Sequence, residues 1–284
     1  MVHSLLEGRV PKYRSTPAPT PTFNPNQRKQ YTHIDKSQAR PDKIKWLQSL
    51  IGYAMYWARG VNYTIKTAVA KLSLEQTAPT EETLIRAEWL LAYIYYHRQP
   101  VIKIRPVKID IQAHSDASYL SENGSRSRYA FVIWIGQPIS STGNEYIPGI
   151  IMYDSGLIQN VVTSVGEAEY TGLFKCTMGV IKVRNFFEDM GYKLHTTVIS
   201  VDSTCAKGLA NRTSKDKNMK HIDMRLHFTR EKVDDKTIHV EHIPTANNIA
   251  DFGTKNMEKL PFQRKALNFL YSNHSHLKGE LVTH

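Results

Sequence analysis

The run Val107-Lys108-Ile109-Asp110-Ile111-Gln112-Ala113-His114-Ser115-Asp116 decides the fold class. Val107, Ile109 and Ile111 alternate with polar residues, the period of a strand, and the run leads to Asp116. Downstream, Tyr129–Ile135 reads as a second strand and Ile147–Tyr153 as a third. A long helix is expected from about Val165 to Met190, ended by Gly191. Thr196–Val201 is a fourth strand, ending at Asp202. A short helix covers 203–210, and a polar, basic loop runs to Lys220. A helix follows over about 221–233, Thr237–Ile243 is a fifth strand, and the chain is helical from Asn247. This order, β-β-β-α-β-α-α-β-α, predicts an α/β fold: a mixed five-stranded sheet with flanking helices.

Upstream of residue 107 the period is helical. Trp46, Leu47, Leu50, Ile51, Ala54, Met55 and Ala58 form one stripe from Asp42, with Gly60 at its end. Asn62 can cap a second helix through Ile65, Ala68, Val69 and Leu72. Pro79-Thr80 opens a third, with Glu81 and Glu82 near the positive end of its dipole. Pro17, Pro19, Pro21 and Pro25 mark an extended arm. The expected divisions are a Pro-rich arm over 1–40, helices over 41–106, an α/β domain over 107–271 and a tail over 272–284.

The 284 residues are 41% hydrophobic, enough for a sizeable core. Two cysteines, Cys176 and Cys205, cannot build a disulfide framework and suit a reducing, intracellular setting. The N-terminus lacks the pattern of a signal peptide, and the longest mainly apolar stretch, Leu50 to Ala58, is far short of a membrane span. The net charge is +11. It is concentrated at the front: residues 1–108 hold 17 Lys and Arg against 7 Asp and Glu, whereas residues 109–284 hold 20 against 19. A basic front is the electrostatic footprint expected of a nucleic-acid binder, although lysines on solvated helices would look the same.

Four acids fall at element ends: Asp116, Glu169, Asp202 and Asp251. If the first and fourth strands are parallel neighbours, Asp116 and Asp202 meet at one carboxyl edge of the sheet, where open α/β sheets place ligands. Glu169 shares a helical line with Leu173, Cys176, Val180, Val183 and Phe187, so it can face the sheet. Glu167 falls roughly on the opposite side, and Phe174, Met178 and Ile181 form a competing stripe. Asp251 opens the last helical region. Any one of these acids also reads as a helix cap or a solvated charge. Four carboxylates gathered together are hard oxygen ligands for Mg²⁺. Two such ions, about 3.5–4 Å apart, suit phosphodiester hydrolysis.

The segment from about 108 to 270 resembles the ribonuclease H domain of copia-type retrotransposon polyproteins. The matching words are Ser115-Asp116-Ala117, Glu167-Ala168-Glu169-Tyr170, Val201-Asp202, Lys220-His221-Ile222-Asp223 with His227-Phe228, Arg230-Glu231-Lys232-Val233, and Ala250-Asp251 before Thr254-Lys255. Each word is weak alone; their order and spacing are specific. Tyr13-Arg14-Ser15-Thr16-Pro17, Leu50 to Tyr56 and the helix through Trp89 and Tyr93 look like the thumb and connection that precede such a domain. The resemblance implies a ribonuclease H fold and cleavage of RNA in RNA–DNA hybrids by two Mg²⁺, with Mn²⁺ as a substitute. It makes Asp116, Glu169, Asp202 and Asp251 the metal-binding and catalytic residues, with water as the attacking group. The palm and fingers of a reverse transcriptase in the same polyprotein become the implied partner. An intracellular, cytoplasmic location is implied, in a virus-like particle or the nucleus as variants.

The chain departs from that pattern in two places. Arg59-Gly60-Val61-Asn62 replaces Arg-Pro-Asp, and Ser203-Thr204 replaces Asn-Gln after the third acid. His242 is a poor substitute for the histidine of cellular ribonucleases H, so no histidine is given a catalytic role. Lys207, Arg212, Lys215, Lys217 and Lys220 form a basic run within a polar loop, which reads equally as a phosphate-holding segment or as a disordered, solvated loop. Ser118, Asn123 and Ser203 are further candidates for contact with the hybrid. His221 and Asp223 read as a helix start rather than a metal site, and Asp234-Asp235 as a turn. Two rivals stand beside the nuclease: a catalytically inactive, structural or nucleic-acid-binding remnant, for which retention of all four acids is unexpected, and a DNA nuclease of the same fold, which the Glu-Ala-Glu-Tyr and Ala-Asp words disfavour.

Overall fold

The computed structural model describes residues 2–19, 41–97, 107–122, 124–138, 147, 149–213 and 223–269. They fall into two compact units, Met1–Ile102 with Asn256–His284, and Lys103–Lys255.

The second unit is the expected α/β fold. Strands β1 (Ile111–Glu122), β2 (Arg126–Ile135), β3 (Ile150–Leu157), β4 (Thr197–Val201) and β5 (Ile238–His242) form a sheet in the order β3-β2-β1-β4-β5. β1 pairs antiparallel with β2, and β2 with β3; β1 and β4 are parallel, as are β4 and β5. A parallel neighbour needs a long crossover. The helix Val165–Asp189 carries the chain from β3 at one edge to β4 beside β1, and the helices Thr204–Ala210 and Asp223–Asp234 lie between the parallel neighbours β4 and β5.

The sequence dictates the long helix in detail. Ser164 caps it, accepting the Glu167 amide at 3.2 Å, and Glu167 Oε2 accepts the Thr163 amide at 2.7 Å. The helix ends at Asp189 with Met190 as its C-cap, and Gly191 follows with a φ of 87° that suits glycine. Leu173, Cys176, Val180, Val183 and Phe187 are buried against Ala113, Phe131, Ile133, Ile199 and Val201 of the sheet. Each large apolar side chain in that stripe contributes roughly 1.5–3 kcal/mol by burial. Phe174 and Ile181 of the competing stripe are only half-buried and Met178 is exposed.

Two expectations are corrected. β3 lies at Ile150–Leu157, not Ile147–Tyr153. It runs on through Asp154, Ser155 and Gly156 because the polar groups find partners: Tyr129 Oη donates to Asp154 Oδ2 at 3.0 Å, and Ser155 Oγ donates to Gly253 O at 2.6 Å. The chain after Asn247 is not one helix. It makes two 3-10 turns, Thr245–Asn247 and Ile249–Gly253, before the helix Lys259–Phe269.

The first unit contains the helices Pro41–Gly60, Lys66–Ser73 and Glu81–Tyr96. Asn62 caps a 3-10 turn leading into the second, and Thr80 with Thr83 makes a capping box at the third. The 2–19 segment opens with a short helix, Val2–Leu5, and then lies along these helices. Trp46 donates to Leu5 O at 3.2 Å, Trp89 to Thr16 O at 2.9 Å and Tyr96 to Pro11 O at 2.8 Å. The helix Lys259–Phe269 packs here too, with Phe262 edge-on to Tyr93, although the sequence reading drew the α/β domain out to residue 271.

Candidate metal centre

Two parallel strands bring the first two acids together. Ser115 of β1 is in register with Val201 of β4, so Asp116 and Asp202 follow side by side. β4 stops there, which puts Asp202 at the carboxyl edge of the sheet. Asp116 does not end its strand, contrary to expectation. Past it, β2 still supplies ladder partners, Ala130 opposite Asp116 and Arg126 opposite Glu122, so β1 continues.

The third acid comes from the turn that follows β5. Asn248, fully buried, donates through Nδ2 to Ser115 O at 2.9 Å and to Asp202 Oδ1 at 3.3 Å. Its Oδ1 accepts the Ala250 amide at 3.0 Å. The Ile249 amide donates to His114 Nδ1 at 3.3 Å. These bonds, with that from Ser155 to Gly253 O, pin the turn across β1 and β3 and carry Asp251 inward, where it is 3% exposed. The approach is so close that a Cβ on Gly253 would lie 2.1 Å from Ala130 Cβ. One ligand oxygen each from Asp116, Asp202 and Asp251 then lies within 4.8 Å of the others. Thr254 Oγ1 donates to Asp116 Oδ2, and Lys255 Nζ stands 2.6 Å from Asp251 Oδ1.

The two glutamates have separate tasks. Glu167 is buried, not turned away to solvent, and braces the start of the long helix. Glu169 reaches the acid cluster: it feels the charges of Asp116 and Asp202 and accepts a backbone hydrogen bond from Ala117. Burial and then those two charges push its carboxyl up to about 9, against the opposing pull of Ala117 and Lys255. Burial and then Asp251 push Asp116 up to about 7, with Asp202 adding to the rise and Lys255 and Thr254 opposing it. Burial works against the Lys255 ammonium, but Asp251, Asp116 and Asp202 outweigh it and raise its pKa. Full ionisation of the cluster would place more negative charge there than its surroundings neutralise, so Glu169 and Asp116 hold their protons to higher pH than usual. Hard, crowded, buried oxygens of this kind fit a divalent cation, and Asp116, Asp202 and Asp251 could hold one.

The other candidate residues are dispersed. Ser118 is half-buried, with Oγ 2.5 Å from Ser121 Oγ. Ser203 caps the helix Thr204–Ala210 beside Asp202, accepting the Ala206 amide at 3.2 Å, and Lys207 is half-buried on that helix. Arg212 is engaged by Asp234 at 2.7 Å. Asn123, Lys215, Lys217, Lys220 and His221 lie outside the described residues. Asp223 opens a helix, and Asp235 accepts the Thr237 amide at 2.8 Å in a turn. His242 is exposed at the end of β5.

The sequence reading assigned no task to Asn248, Thr254 or Lys255. Asn248 is marked only by nearness to Asp251 in the chain, and Thr254-Lys255 also by the matched word that follows Ala250-Asp251; that the turn crosses β1 is tertiary information.

The strand order β3-β2-β1-β4-β5, with acids on adjoining strands at one edge, is the mixed five-stranded sheet with flanking helices that the sequence predicts. The homologues of the chain are retrovirus-related Pol polyproteins of plant transposons. The Pol polyprotein from transposon TNT 1-94 of Nicotiana tabacum is 27% identical over 228 residues, covering 79% of this chain and 16% of that protein. The Pol polyprotein from transposon RE1 of Arabidopsis thaliana is 25% identical over 230 residues, covering 80% and 15%. The chain therefore spans about a sixth of the length of these relatives. Among solved structures, LC11-RNase H1 in complex with an RNA/DNA hybrid aligns at 16% identity and a TM-score of 0.37, covering 51% of this chain and 94% of that one. No protein-family model matches. Among the described residues no helix is long and apolar enough to cross a membrane.

Proposed function

We propose that the chain is a metal-dependent ribonuclease H that cleaves the RNA strand of RNA–DNA hybrids as part of a reverse-transcription polyprotein. The observation that carries this reading is the gathering of Asp116, Asp202 and Asp251 within 4.8 Å, with Glu169 outside that group but within electrostatic reach of Asp116 and Asp202. The four carboxylates hold two Mg²⁺, for which Mn²⁺ can substitute. When bound, such ions activate water and stabilise the leaving oxygen of a phosphodiester.

The residues of the chain do the positioning. Asn248 holds Asp202, Thr254 holds Asp116, and the packed turn keeps Asp251 facing both. Ser203 and Lys207, beside Asp202, meet the hybrid; Ser118 does so from β1. The basic first 108 residues add charge attraction for the duplex, weakened by salt. The palm and fingers of the same polyprotein are the natural partner.

The test is incubation of the full chain with labelled RNA–DNA hybrid, double-stranded RNA and double-stranded DNA, in Mg²⁺ and in chelator. Cleavage of RNA in the hybrid alone, lost with chelator and in Asp202→Asn, supports the reading. Cleavage that survives chelation, or that prefers double-stranded DNA, contradicts it. Hybrid binding without cleavage identifies an inactive remnant.

A further inference from the structure

Lys255 follows Asp251 by four residues, and its Nζ stands 2.6 Å from Asp251 Oδ1. The two groups reach that contact from different surroundings: the Asp251 side chain is 4% exposed and that of Lys255 is 48% exposed. The ammonium therefore enters from the solvent side on a flexible stem that can swing back out. Asp116 and Asp202 attract it as well. Buried like charges need a counter-charge, and this lysine supplies one.

A divalent cation liganded by the same carboxylates binds at about 2.0–2.1 Å for Mg²⁺. Its two charges would repel an ammonium held on Asp251. The lysine has somewhere to go, since half of its side chain already faces solvent. Thr254, by contrast, is 1% exposed, bonds Asp116 through a neutral hydroxyl, and has no charge to repel the ion.

Resting on the metal-dependent reading above, we propose that Lys255 is a displaceable counter-ion: it occupies the acid cluster before the metal does and leaves Asp251 when the metal arrives. Lys255 thereby stabilises the metal-free fold and weakens metal binding. The rival is a permanent ion pair, which would stabilise the metal-free and metal-loaded states alike.

The test is Mn²⁺ binding to the full chain by titration calorimetry, with thermal unfolding in chelator and in saturating Mn²⁺. The set is the wild type, Lys255→Met, Lys255→Gln, Lys255→Arg and Asp202→Asn. Both neutral variants should bind Mn²⁺ more tightly, on the order of fivefold or more, as expected for two coupled ligands of one site. Lys255→Arg, which keeps the charge, should not. In chelator the neutral variants should melt below the wild type, and the gap should close as Mn²⁺ saturates the site. Two neutral variants guard against one failing to fold. Unchanged or weaker Mn²⁺ affinity in both, or a melting gap that ignores Mn²⁺, overturns the proposal. If the wild type binds Mn²⁺ no better than Asp202→Asn, the metal reading itself has failed, and the counter-ion with it.

Discussion

Replacing Gly253 by alanine would put a methyl carbon 2.1 Å from Ala130 Cβ, 3.1 Å from Tyr153 Oη and 3.2 Å from Ser155 Cβ. Non-bonded carbons settle at roughly 3.5–4.0 Å, so about 1.5 Å must be found. β2 cannot supply it: Ala130 is paired to Asp116 on one side and Ser155 on the other, in the middle of the sheet. The turn must lift instead, straining the bonds from Ser155 to Gly253 O and from Thr254 to Asp116. Overpacking of this kind costs about 1–3 kcal/mol. At roughly 2–4 °C per kcal/mol in a domain of this size, melting should fall by about 5 °C. Asp251 sits two residues away on the lifted turn. A displacement on the order of 1 Å should cut hybrid cleavage about 100-fold. The assays are thermal unfolding and single-turnover cleavage of labelled hybrid. Adding Ala130→Gly removes the worst contact and should recover much of both losses. A Gly253→Ala protein that melts and cleaves like the wild type, or one that Ala130→Gly makes worse, would refute the packing argument.

Asn248→Leu keeps the volume but leaves Ser115 O and Asp202 without their donor; stability should fall by about 1–3 kcal/mol, and Mn²⁺ affinity should fall with it in calorimetry. Glu167→Gln should lower stability by about 1 kcal/mol through the helix start, with Mn²⁺ affinity unchanged, whereas Glu169→Gln should weaken Mn²⁺ binding and stabilise the metal-free chain at pH 8. The pH dependence has a definite sign. Asp116 and Glu169 have folded-state pKa values of about 7 and about 9, above their ordinary 3.8 and 4.5, so between those limits the folded state holds protons that the unfolded state has released. Their contribution therefore makes metal-free stability fall as pH rises from about 4 to about 9. Denaturant titrations in chelator should show that fall relative to Asp116→Asn, and saturating Mg²⁺ should flatten it.

The parts legible in sequence were those set by local period. Alternation in 107–111 and 129–135 announced strands, and the line from Glu169 to Phe187 predicted the face of the long helix that lies on the core. The ends of elements were less legible, because pairing partners prolong a strand after its hydrophobic pattern stops. β1 runs six residues past Asp116, and β3 runs through Asp154 to Gly156, on bonds from β2. The burial of Glu167 was illegible for a related reason: helical geometry gives its angle but not the Thr163 amide that draws its carboxylate inward. Asn248 and Thr254 gained their significance from long-range contacts, since their side chains meet β1 133 and 138 residues earlier in the chain, and the local Lys255–Asp251 pair matters only because that turn is carried into the acid cluster. The eight residues Asn248 to Lys255 mix polar and apolar side chains without a periodic signal, and their partners are invisible until the sheet forms.

Anomalous diffraction from crystals soaked in Mn²⁺ asks most directly whether this fold builds a cation site. A manganese peak enclosed by Asp116, Asp202 and Asp251, and missing from Asp202→Asn crystals, is the predicted result. An empty map at that edge of the sheet under saturating Mn²⁺, or three carboxylates too far apart to share an ion, would contradict the account.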